Sequence, residues 1–237
     1  MGEGSRMSTL LFIVEILLIV AAIVAVSYLI EKSAAKRNGT SLTVITTRKT
    51  AMVGVFAAAA GILMLLEIPL PFAPPFYKLD ISEVPVLILT FAYGPVAGIL
   101  TEMLKIFIKL LIKGTTSAFV GELANFVIGA SLILPAGLIY FIKKTKKQAL
   151  LACIAGTLVM TVFGSLFNGI YLLPKFAEIY GMPLDAIIGM GTAINPNISS
   201  VSGLVLMCVV PMNLIKGAID SLITNLIYKR LSPIIKK

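Results

Sequence analysis

The sequence predicts an all-α integral membrane protein. Of its 237 residues, 58% are hydrophobic and only 13% are charged, whereas soluble domains average about 45–50% apolar and about 25% charged residues. The apolar residues also gather in runs, and most runs reach the about 20 residues that a spanning helix needs. This composition excludes a water-soluble globule and a disordered chain.

Missing residue types exclude several kinds of chemistry. The chain has no histidine, so it carries no Ser-His-Asp or Cys-His nucleophile, HExxH zinc site or histidine-ligated haem. No GxxxxGK[ST] sequence is present, so ATP is not bound through a P-loop. Cys153 and Cys208 lie inside apolar runs and are predicted to be buried, unreactive thiols. The net charge of +9 falls in clusters between the runs, which excludes a single nucleic-acid-binding face.

Seven candidate spanning segments follow one another along the chain. The first, Ser8–Ile30, is too long for a signal-peptide core and lacks a convincing cleavage site, so it is interpreted as a membrane helix. Met1–Arg6 is polar and glycine-rich, and Met7 is the expected natural start. The other clear segments are Thr50–Leu66, Ser117–Ile142, Gln148–Leu173 and Ser199–Tyr228.

The two remaining segments lie between Pro85 and Lys113, where Gly94-Pro95 interrupts an apolar stretch. Proline lacks an N–H group and clashes with the preceding turn, so it ends or kinks a helix. A short helix, a tight turn and a second helix are therefore expected. The first of these helices is too short to span a bilayer alone.

Basic residues predict the orientation, because they concentrate on the cytoplasmic side of membrane proteins. With seven passes, thirteen of the 20 basic residues fall on one side. They lie in the ranges Lys32–Lys49, Lys143–Lys147 and Lys229–Lys237. This side and the C-terminus are predicted to be cytoplasmic, and the segments Glu67–Val84 and Pro174–Ile198 to face outward.

The outward segment Pro69–Pro85 combines prolines, aromatic rings and charged groups. Prolines lower the entropic cost of ordering a loop, so a lid over an aromatic ligand is one interpretation. A stiff connector with its aromatic rings at headgroup depth is the other. The rings belong to Phe72, Phe76 and Tyr77, and the polar handles to Lys78, Asp80, Ser82 and Glu83.

Ionisable residues inside apolar segments are costly in a bilayer and are therefore candidates for function. Lys105, Lys109 and Lys113 recur every four residues and form one stripe on a helix. Glu102 lies one turn before Lys105 and is placed to neutralise it. Glu15 is alone in the first helix, so it either pairs with a lysine or marks an interface with another subunit. The remaining ionisable residues in spans are Glu122, Lys216 and Asp220.

Three polar residues lie toward the outer half of the last two spans. Asn213 and Lys216 are three residues apart and project from one face of a helix, and Asn168 lies near the outer end of the preceding span. Their donors and acceptors suit a ligand with an amide-imide edge. Hydrogen bonding between helices is the alternative.

Small residues recur at four-residue spacing in the segment after Thr50. Gly54 and Ala58 form one pair, and Ala57 and Gly61 form another. This spacing lets helices approach closely in lipid. Packing within the chain and docking against another membrane subunit fit the pattern equally well.

Six short motifs occur in order between Thr47 and the end of the chain. They are Pro69-Leu-Pro-Phe with Pro74-Pro75, Leu79-Asp-Ile-Ser-Glu-Val-Pro85, Phe91-Ala-Tyr-Gly-Pro-Val-Ala-Gly98, Gly121-Glu-Leu-Ala-Asn-Phe126, Asn168 with Leu172-Leu-Pro174, and Pro211-Met-Asn-Leu-Ile-Lys-Gly217. With these motifs the chain resembles the substrate-binding S component of an energy-coupling factor (ECF) vitamin transporter, and more narrowly the riboflavin-specific S component.

The resemblance implies a core of six transmembrane helices in residues 47–237, which binds riboflavin near the outer surface as a transported substrate and needs no cofactor. It also implies a membrane coupling subunit and two ATPase subunits as partners, with Gly54 and Ala58 contacting the coupling subunit. By motif matching, the expected ligand contacts are Tyr77, Lys78, Asp80, Glu83, Asn125, Asn168, Asn213 and Lys216.

The chain departs from the family pattern in two places. Residues 1–46 add a transmembrane helix and a basic cytoplasmic linker, Glu31–Thr46, whose polarity suggests an independent anchor. Lys78 occupies a loop position that is often uncharged in the family.

Three alternative functions remain open from the residues alone. One is an S component for another vitamin or a flavin analogue. Another is an intramembrane enzyme using Glu102 or Glu122, but no nucleophile and base accompany these carboxylates. The third is a self-sufficient ion-coupled carrier, for which an internal repeat would be expected and none is evident. We therefore expect a transport protein and not an enzyme.

Overall fold

A computed structural model describes residues 3–37, 39 and 46–235. This part of the chain is mainly helical, and besides loops it contains one two-residue antiparallel ladder, in which Ile68 pairs with Leu79 and Pro69 with Lys78. The all-α prediction is therefore confirmed. In chain order the elements are α1 (Glu3–Arg37), α2 (Thr47–Leu65), β1 (Ile68–Pro69), β2 (Lys78–Leu79), α3 (Glu83–Tyr93), α4 (Pro95–Lys113), α5 (Val120–Ile142), α6 (Lys146–Phe167), a π-turn (Asn168–Leu172), α7 (Leu173–Tyr180), α8 (Leu184–Thr192), α9 (Val201–Leu204), a second π-turn (Val205–Val209) and α10 (Val210–Ile235).

Five helical stretches in the described residues are long and apolar enough to cross a membrane. α3 is apolar but has only 11 residues, and α4 carries four charged side chains. The multi-pass architecture is therefore clear, whereas the count of six core helices plus one stays a prediction. The five stretches are Leu11–Arg37, Thr47–Leu65, Val120–Phe141, Lys146–Tyr180 and Val201–Tyr228.

The corner between α3 and α4 has the predicted form of a short helix, a turn and a second helix. Gly94 adopts a φ of +106°, a conformation that a residue with a Cβ rarely tolerates. Pro95 lies in the first turn of α4. Backbone N–H groups in this turn have no partner within the helix, so a proline there costs no hydrogen bond. This corner therefore fixes the path that brings α4 back through the bundle.

Capping residues and π-turns set the helix ends. α2 begins at Thr47, before the predicted Thr50, because Thr46 Oγ1 accepts a hydrogen bond from Lys49 N at 3.1 Å and caps the helix. α6 does not end at Leu173 but continues through the π-turn into α7, because Pro174 falls in the first turn of α7, where proline is tolerated. The predicted outward segment after Pro174 consequently contains α7 and α8.

In the described residues the apolar core forms three clusters. The largest one joins α3, α4, α5, α6 and α10, and the second lies under the β1–β2 loop and α8 around Tyr77, Ile187 and Leu204. A small third cluster joins α2, α3 and α4 through Val53, Leu89 and Ala97. Glycine brings α5 and α6 close, since a Cβ on Gly156 would lie 2.7 Å from Leu132 O. Cys153 and Cys208 are buried and free, as predicted.

The added helix α1 packs against α4 and α5 and continues to Arg37. The helix therefore extends beyond the predicted end at Ile30, whereas the interpretation of residues 1–46 as an independent anchor stays a prediction. Glu31 is buried, and both oxygens of its carboxylate have partners. Oε1 accepts a hydrogen bond from Lys49 Nζ at 2.8 Å, and Oε2 accepts one from Val96 N at 3.0 Å. The predicted linker Glu31–Thr46 is helical as far as Arg37, and positions 38 and 40–45 lie outside the described residues.

Candidate ligand-binding cavity

A cavity of about 210 Å³ opens at the end of the bundle that carries the β1–β2 loop, called here the loop end. Its wall is formed by this loop, the end of α4, the first half of α5, the first π-turn, α7 and α10. The structure brings together here all the residues expected to contact a ligand, from four separate segments of the chain. They are Tyr77, Lys78, Asp80, Glu83, Asn125, Asn168, Asn213 and Lys216.

Tyr77 joins the β1–β2 loop to the first π-turn. Its hydroxyl donates a hydrogen bond to Asn168 Oδ1 at 2.6 Å, and its ring contacts Phe76 with the centroids 4.6 Å apart. Burial raises the pKa of Tyr77 well above its usual range, so the hydroxyl remains a neutral donor. Because Tyr77 uses Oδ1 of Asn168, what this amide can offer a ligand is mainly the two N–H groups of Nδ2.

Lys216 reaches from α10 to the β1–β2 loop. Its Nζ lies 3.1 Å from Asp80 Oδ1 and 3.8 Å from Glu83 Oε1. Asp80 Oδ1 also accepts a hydrogen bond from Ser82 N at 2.9 Å. Burial raises the pKa of Asp80, but the nearby ammonium groups of Lys216 and Lys105 outweigh this effect and hold the pKa below its usual range. Asp80 is therefore an ionised partner for Lys216.

Lys105 lies between two buried carboxyl groups at the base of the cavity. Its Nζ is 2.6 Å from Glu83 Oε1 and 2.7 Å from Glu102 Oε2, so Lys105 contacts the predicted partner Glu102 and also Glu83. α5 leaves room for these carboxyl groups at Gly129, where a Cβ would lie 2.8 Å from Glu102 Cδ and 3.1 Å from Glu83 Oε1. Glu83 thus connects the buried cluster to Lys216 and the cavity.

The amides of Asn125 and Asn213 have different surroundings. Asn125 Nδ2 donates to Gly121 O within α5 at 2.9 Å. Asn213 is fully buried, its Nδ2 donates to Ser165 Oγ at 3.4 Å, and its Oδ1 has no hydrogen-bond partner in the described part of the chain. Leaving a buried acceptor unpaired costs about 1–3 kcal/mol, so a ligand N–H placed at Asn213 would be stabilised.

The rim of the cavity carries a charged cluster, of which the sequence pattern predicted the lysines of α4 but not their acidic partner. Glu67 accepts hydrogen bonds from Lys78 at 2.8 Å, from Lys109 at 2.9 Å and from Lys113. Burial raises the pKa of Glu67, but the hydrogen bonds from the three lysines outweigh it and lower the pKa to about 2. The four-residue spacing of Lys109 and Lys113 predicted that they share one face of a helix. It did not predict their partner, because Glu67 lies outside any periodic segment. Lys78 is therefore engaged at the rim through its side chain.

The rest of the wall is mainly apolar, with Thr116, Ser117 and Glu122 as further polar lining residues. Phe76 and Phe176 stack with their centroids 5.6 Å apart. No group of metal-ligating side chains that could hold an ion is found in the described residues. Flat apolar walls with a few converging polar groups are typical of a small-molecule site. The other apolar lining residues are Val120, Ala124, Ile128, Leu172, Leu173 and Met212.

The two small-residue pairs of α2 face different surroundings. Ala57 and Gly61 are buried, and a Cβ on Gly61 would lie 2.8 Å from Ile108 Cγ2 of α4, so this pair packs within the chain. Gly54 and Ala58 are exposed, and a Cβ on Gly54 would meet nothing within 4 Å. The second pair therefore remains on the surface, away from the cavity.

The chain is similar to transport proteins over most of its length. The family model "ECF transporter, substrate-specific component" matches residues 48–228. The riboflavin transporter RibU of Staphylococcus aureus (strain TCH60) is 34% identical over 185 residues, which cover 78% of this chain and 90% of that protein. The riboflavin transporter FmnP of Bacillus subtilis (strain 168) is 31% identical over 191 residues, with 80% and 95% covered.

A solved structure of the S component of a bacterial ECF transporter has the same fold. It matches with a TM-score of 0.62 at 34% identity and covers 80% of this chain and 98% of that chain. The sequence and the fold thus lead to one family of membrane transport proteins, not of enzymes. The chain belongs to the substrate-specific components of ECF transporters.

Proposed function

We propose that this chain is the riboflavin-binding component of an ECF vitamin uptake transporter in the cell membrane. The observation that carries the proposal is the convergence of the eight expected contact residues on one cavity. The names of the similar transporters of Staphylococcus aureus and Bacillus subtilis support riboflavin as the substrate.

The chemistry of riboflavin fits the groups in the cavity. Its isoalloxazine ring system is flat and largely apolar, and one edge carries an imide N–H between two carbonyl groups. Asn213 Oδ1 is the acceptor for the N–H, and Asn168 Nδ2 and Lys216 Nζ are donors for the carbonyl oxygens. Phe76 and Phe176 cover the rings. A flavin analogue without this edge leaves buried groups unpaired and binds more weakly.

The distribution of charge supports an outward-facing cavity. Lys49, Lys146 and Lys147 lie at the end of the bundle opposite the loop end, and basic residues concentrate on the cytoplasmic side. The loop end then faces outward, where riboflavin is captured, and the C-terminus is cytoplasmic.

Energy for uptake has to come from partners. The chain has no P-loop, and we propose a membrane coupling subunit and two ATPase subunits as its partners. The exposed pair Gly54 and Ala58 on α2 is the proposed contact with the coupling subunit, because small residues permit close helix approach in lipid.

An absorption spectrum tests the ligand directly. Purified chain is mixed with riboflavin, desalted and measured beside an Asn213→Leu variant, which removes the unpaired acceptor. We expect a flavin spectrum that stays with the wild-type chain and is lost with the variant. A wild-type chain that retains no flavin would refute the proposal. Retention that an excess of an unrelated vitamin abolishes would favour an S component of different specificity.

A further inference from the structure

Glu15 on the added helix α1 contacts the segment that forms one wall of the cavity. Its Oε2 accepts a hydrogen bond from Tyr171 OH at 2.7 Å and lies 3.2 Å from Lys175 Nζ. The same ammonium group lies 5.2 Å from the centre of the ring of Phe12, which is buried. One carboxylate thus binds two side chains of the π-turn and α7 that are four residues apart.

These two side chains belong to the stretch that supplies the cavity wall. The π-turn Asn168–Leu172 contributes Asn168 and Leu172 to the cavity, and α7 contributes Phe176. A π-helical turn is rare and occurs mostly as a single-turn insertion in an α-helix, frequently at a functional site. Tyr171 stacks on Phe167 with the ring centroids 5.1 Å apart. Its hydroxyl is held by Glu15.

The other end of α1 is held as well. Glu31 binds Lys49 at the start of α2 and Val96 at the start of α4. Glu15 and Glu31 are sixteen positions apart in one continuous helix, which corresponds to about 24 Å at 1.5 Å per residue. α1 is therefore fixed at both ends of the bundle, and Glu15 is attached to a supported helix.

The helix lies outside the region that the family model covers, which begins at residue 48. A carboxylate in a mainly apolar helix is expensive in a membrane and is a functional candidate by default. The polar partners of Glu15 account for its position, and both of them lead to the cavity wall.

We propose that Glu15 is a positioning residue for the ligand cavity, which holds the π-turn through Tyr171 and Lys175 so that Asn168 is presented to the ligand. The inference rests on the proposed function for the identity of the ligand, riboflavin. The contact of α1 with the wall is independent of that identity. Loosening the turn lets the ligand leave faster, while its approach from solvent is unchanged.

The test compares Glu15→Ala, Tyr171→Phe and the matched control Glu178→Gln. Glu178 is the other partner of Lys175, at 3.2 Å, and its side chain is largely exposed. Stopped-flow fluorescence measures riboflavin association and dissociation. We expect Glu15→Ala to raise the dissociation rate about fivefold or more with an unchanged association rate, because changes at binding surfaces act mainly on dissociation. Tyr171→Phe has a smaller effect in the same direction, and Glu178→Gln has none.

Hydrogen exchange on the ligand-free protein separates this inference from the proposed function. Amides of residues 168–176 should exchange faster in Glu15→Ala than in the wild type, with residues 47–65 unchanged. If the wild-type chain binds no riboflavin, the proposed function fails, and this measurement still decides whether Glu15 holds the turn. Equal exchange, or faster exchange with unchanged riboflavin dissociation, would overturn the role of Glu15 as a positioning residue.

Discussion

Lys216 Nζ lies 3.1 Å from Asp80 Oδ1, and this ion pair joins α10 to a loop residue 136 positions away in the sequence. Both side chains are buried, so each charge depends on the other. The pair joins the β1–β2 loop to α10 and keeps the ammonium group at the wall of the cavity. In the proposed function, the position of the loop and the binding of the ligand are therefore coupled through this one contact.

Lys216→Ala is expected to weaken riboflavin binding at least tenfold, which corresponds to about 1.4 kcal/mol. The substitution removes a ligand donor and leaves the Asp80 carboxylate buried without its strongest partner. Fluorescence-quenching titration measures the change. The control is Lys147→Ala, which changes an exposed lysine at the opposite end of the bundle. In the double variant Asp80→Asn with Lys216→Ala, the loss of binding free energy should be smaller than the sum of the losses in the two single variants, because the two side chains contact each other. An unchanged titration for Lys216→Ala would remove this residue from the site.

Tyr77→Phe tests the link between the loop and the first π-turn. The variant keeps the ring but removes the hydrogen bond to Asn168 Oδ1, which is 2.6 Å long. The amide of Asn168 is then free to turn, so its Nδ2 donors are no longer fixed toward the ligand. We expect riboflavin affinity to fall about threefold to tenfold, which is within the range for one lost hydrogen bond. Tyr28→Phe on α1 should leave it unchanged, and equal losses in both variants would point to a general effect on the fold.

Much of this architecture follows from local sequence, because hydropathy, proline and four-residue spacing act over short ranges. Gly94-Pro95 predicted the corner between α3 and α4, and the spacing of Glu102 and Lys105 predicted their ion pair. The eight expected contact residues came from motif matching, and only the fold shows that they line one cavity.

Contacts between segments that are distant in the sequence could not be predicted from local sequence patterns. Glu67 gathers three lysines at the rim, and Glu31 binds both Lys49 and Val96, yet neither carboxylate belongs to a periodic pattern. The continuation of α6 into α7 was hidden for a related reason. The π-turn that begins at Asn168 shifts the helical periodicity. Without knowledge of this turn, Pro174 is interpreted as the end of the helix, since proline usually ends or kinks one.

Glu67→Gln should reduce stability in a pH-dependent way. The pKa of Glu67 is lowered from 4.5 to about 2 in the folded chain, so its contribution to stability is fully present above about pH 4.5 and is lost as the pH falls through about 2. Thermal unfolding in detergent should therefore show a constant deficit of the variant from about pH 8 to about pH 5, which shrinks below that range. A deficit that stays constant down to about pH 2 would contradict the lowered pKa.

Gly129→Ala should be destabilising although alanine is the better helix former by about 0.5–1 kcal/mol. The new methyl group would lie 2.8 Å from Glu102 Cδ, so the buried carboxyl group, whose Oε2 is 2.7 Å from Lys105 Nζ, has to shift. The matched control is Gly189→Ala in α8, where a Cβ meets nothing within 4 Å and where a small gain in stability is expected. Melting temperatures of the two variants give the comparison, and a gain in both would show that the Glu102 site relaxes easily.

Ala58→Leu tests the proposed contact with the coupling subunit. The exposed face of α2 at Gly54 and Ala58 permits close approach, and a leucine there holds the partner helix away. We expect ATP-driven riboflavin uptake by the assembled transporter to be lost, while riboflavin binding to the purified chain is unchanged because the cavity lies elsewhere. Ala218→Leu makes the same change at an exposed position of α10 and should leave both activities intact. Full uptake by Ala58→Leu would place the coupling contact on another face of the protein.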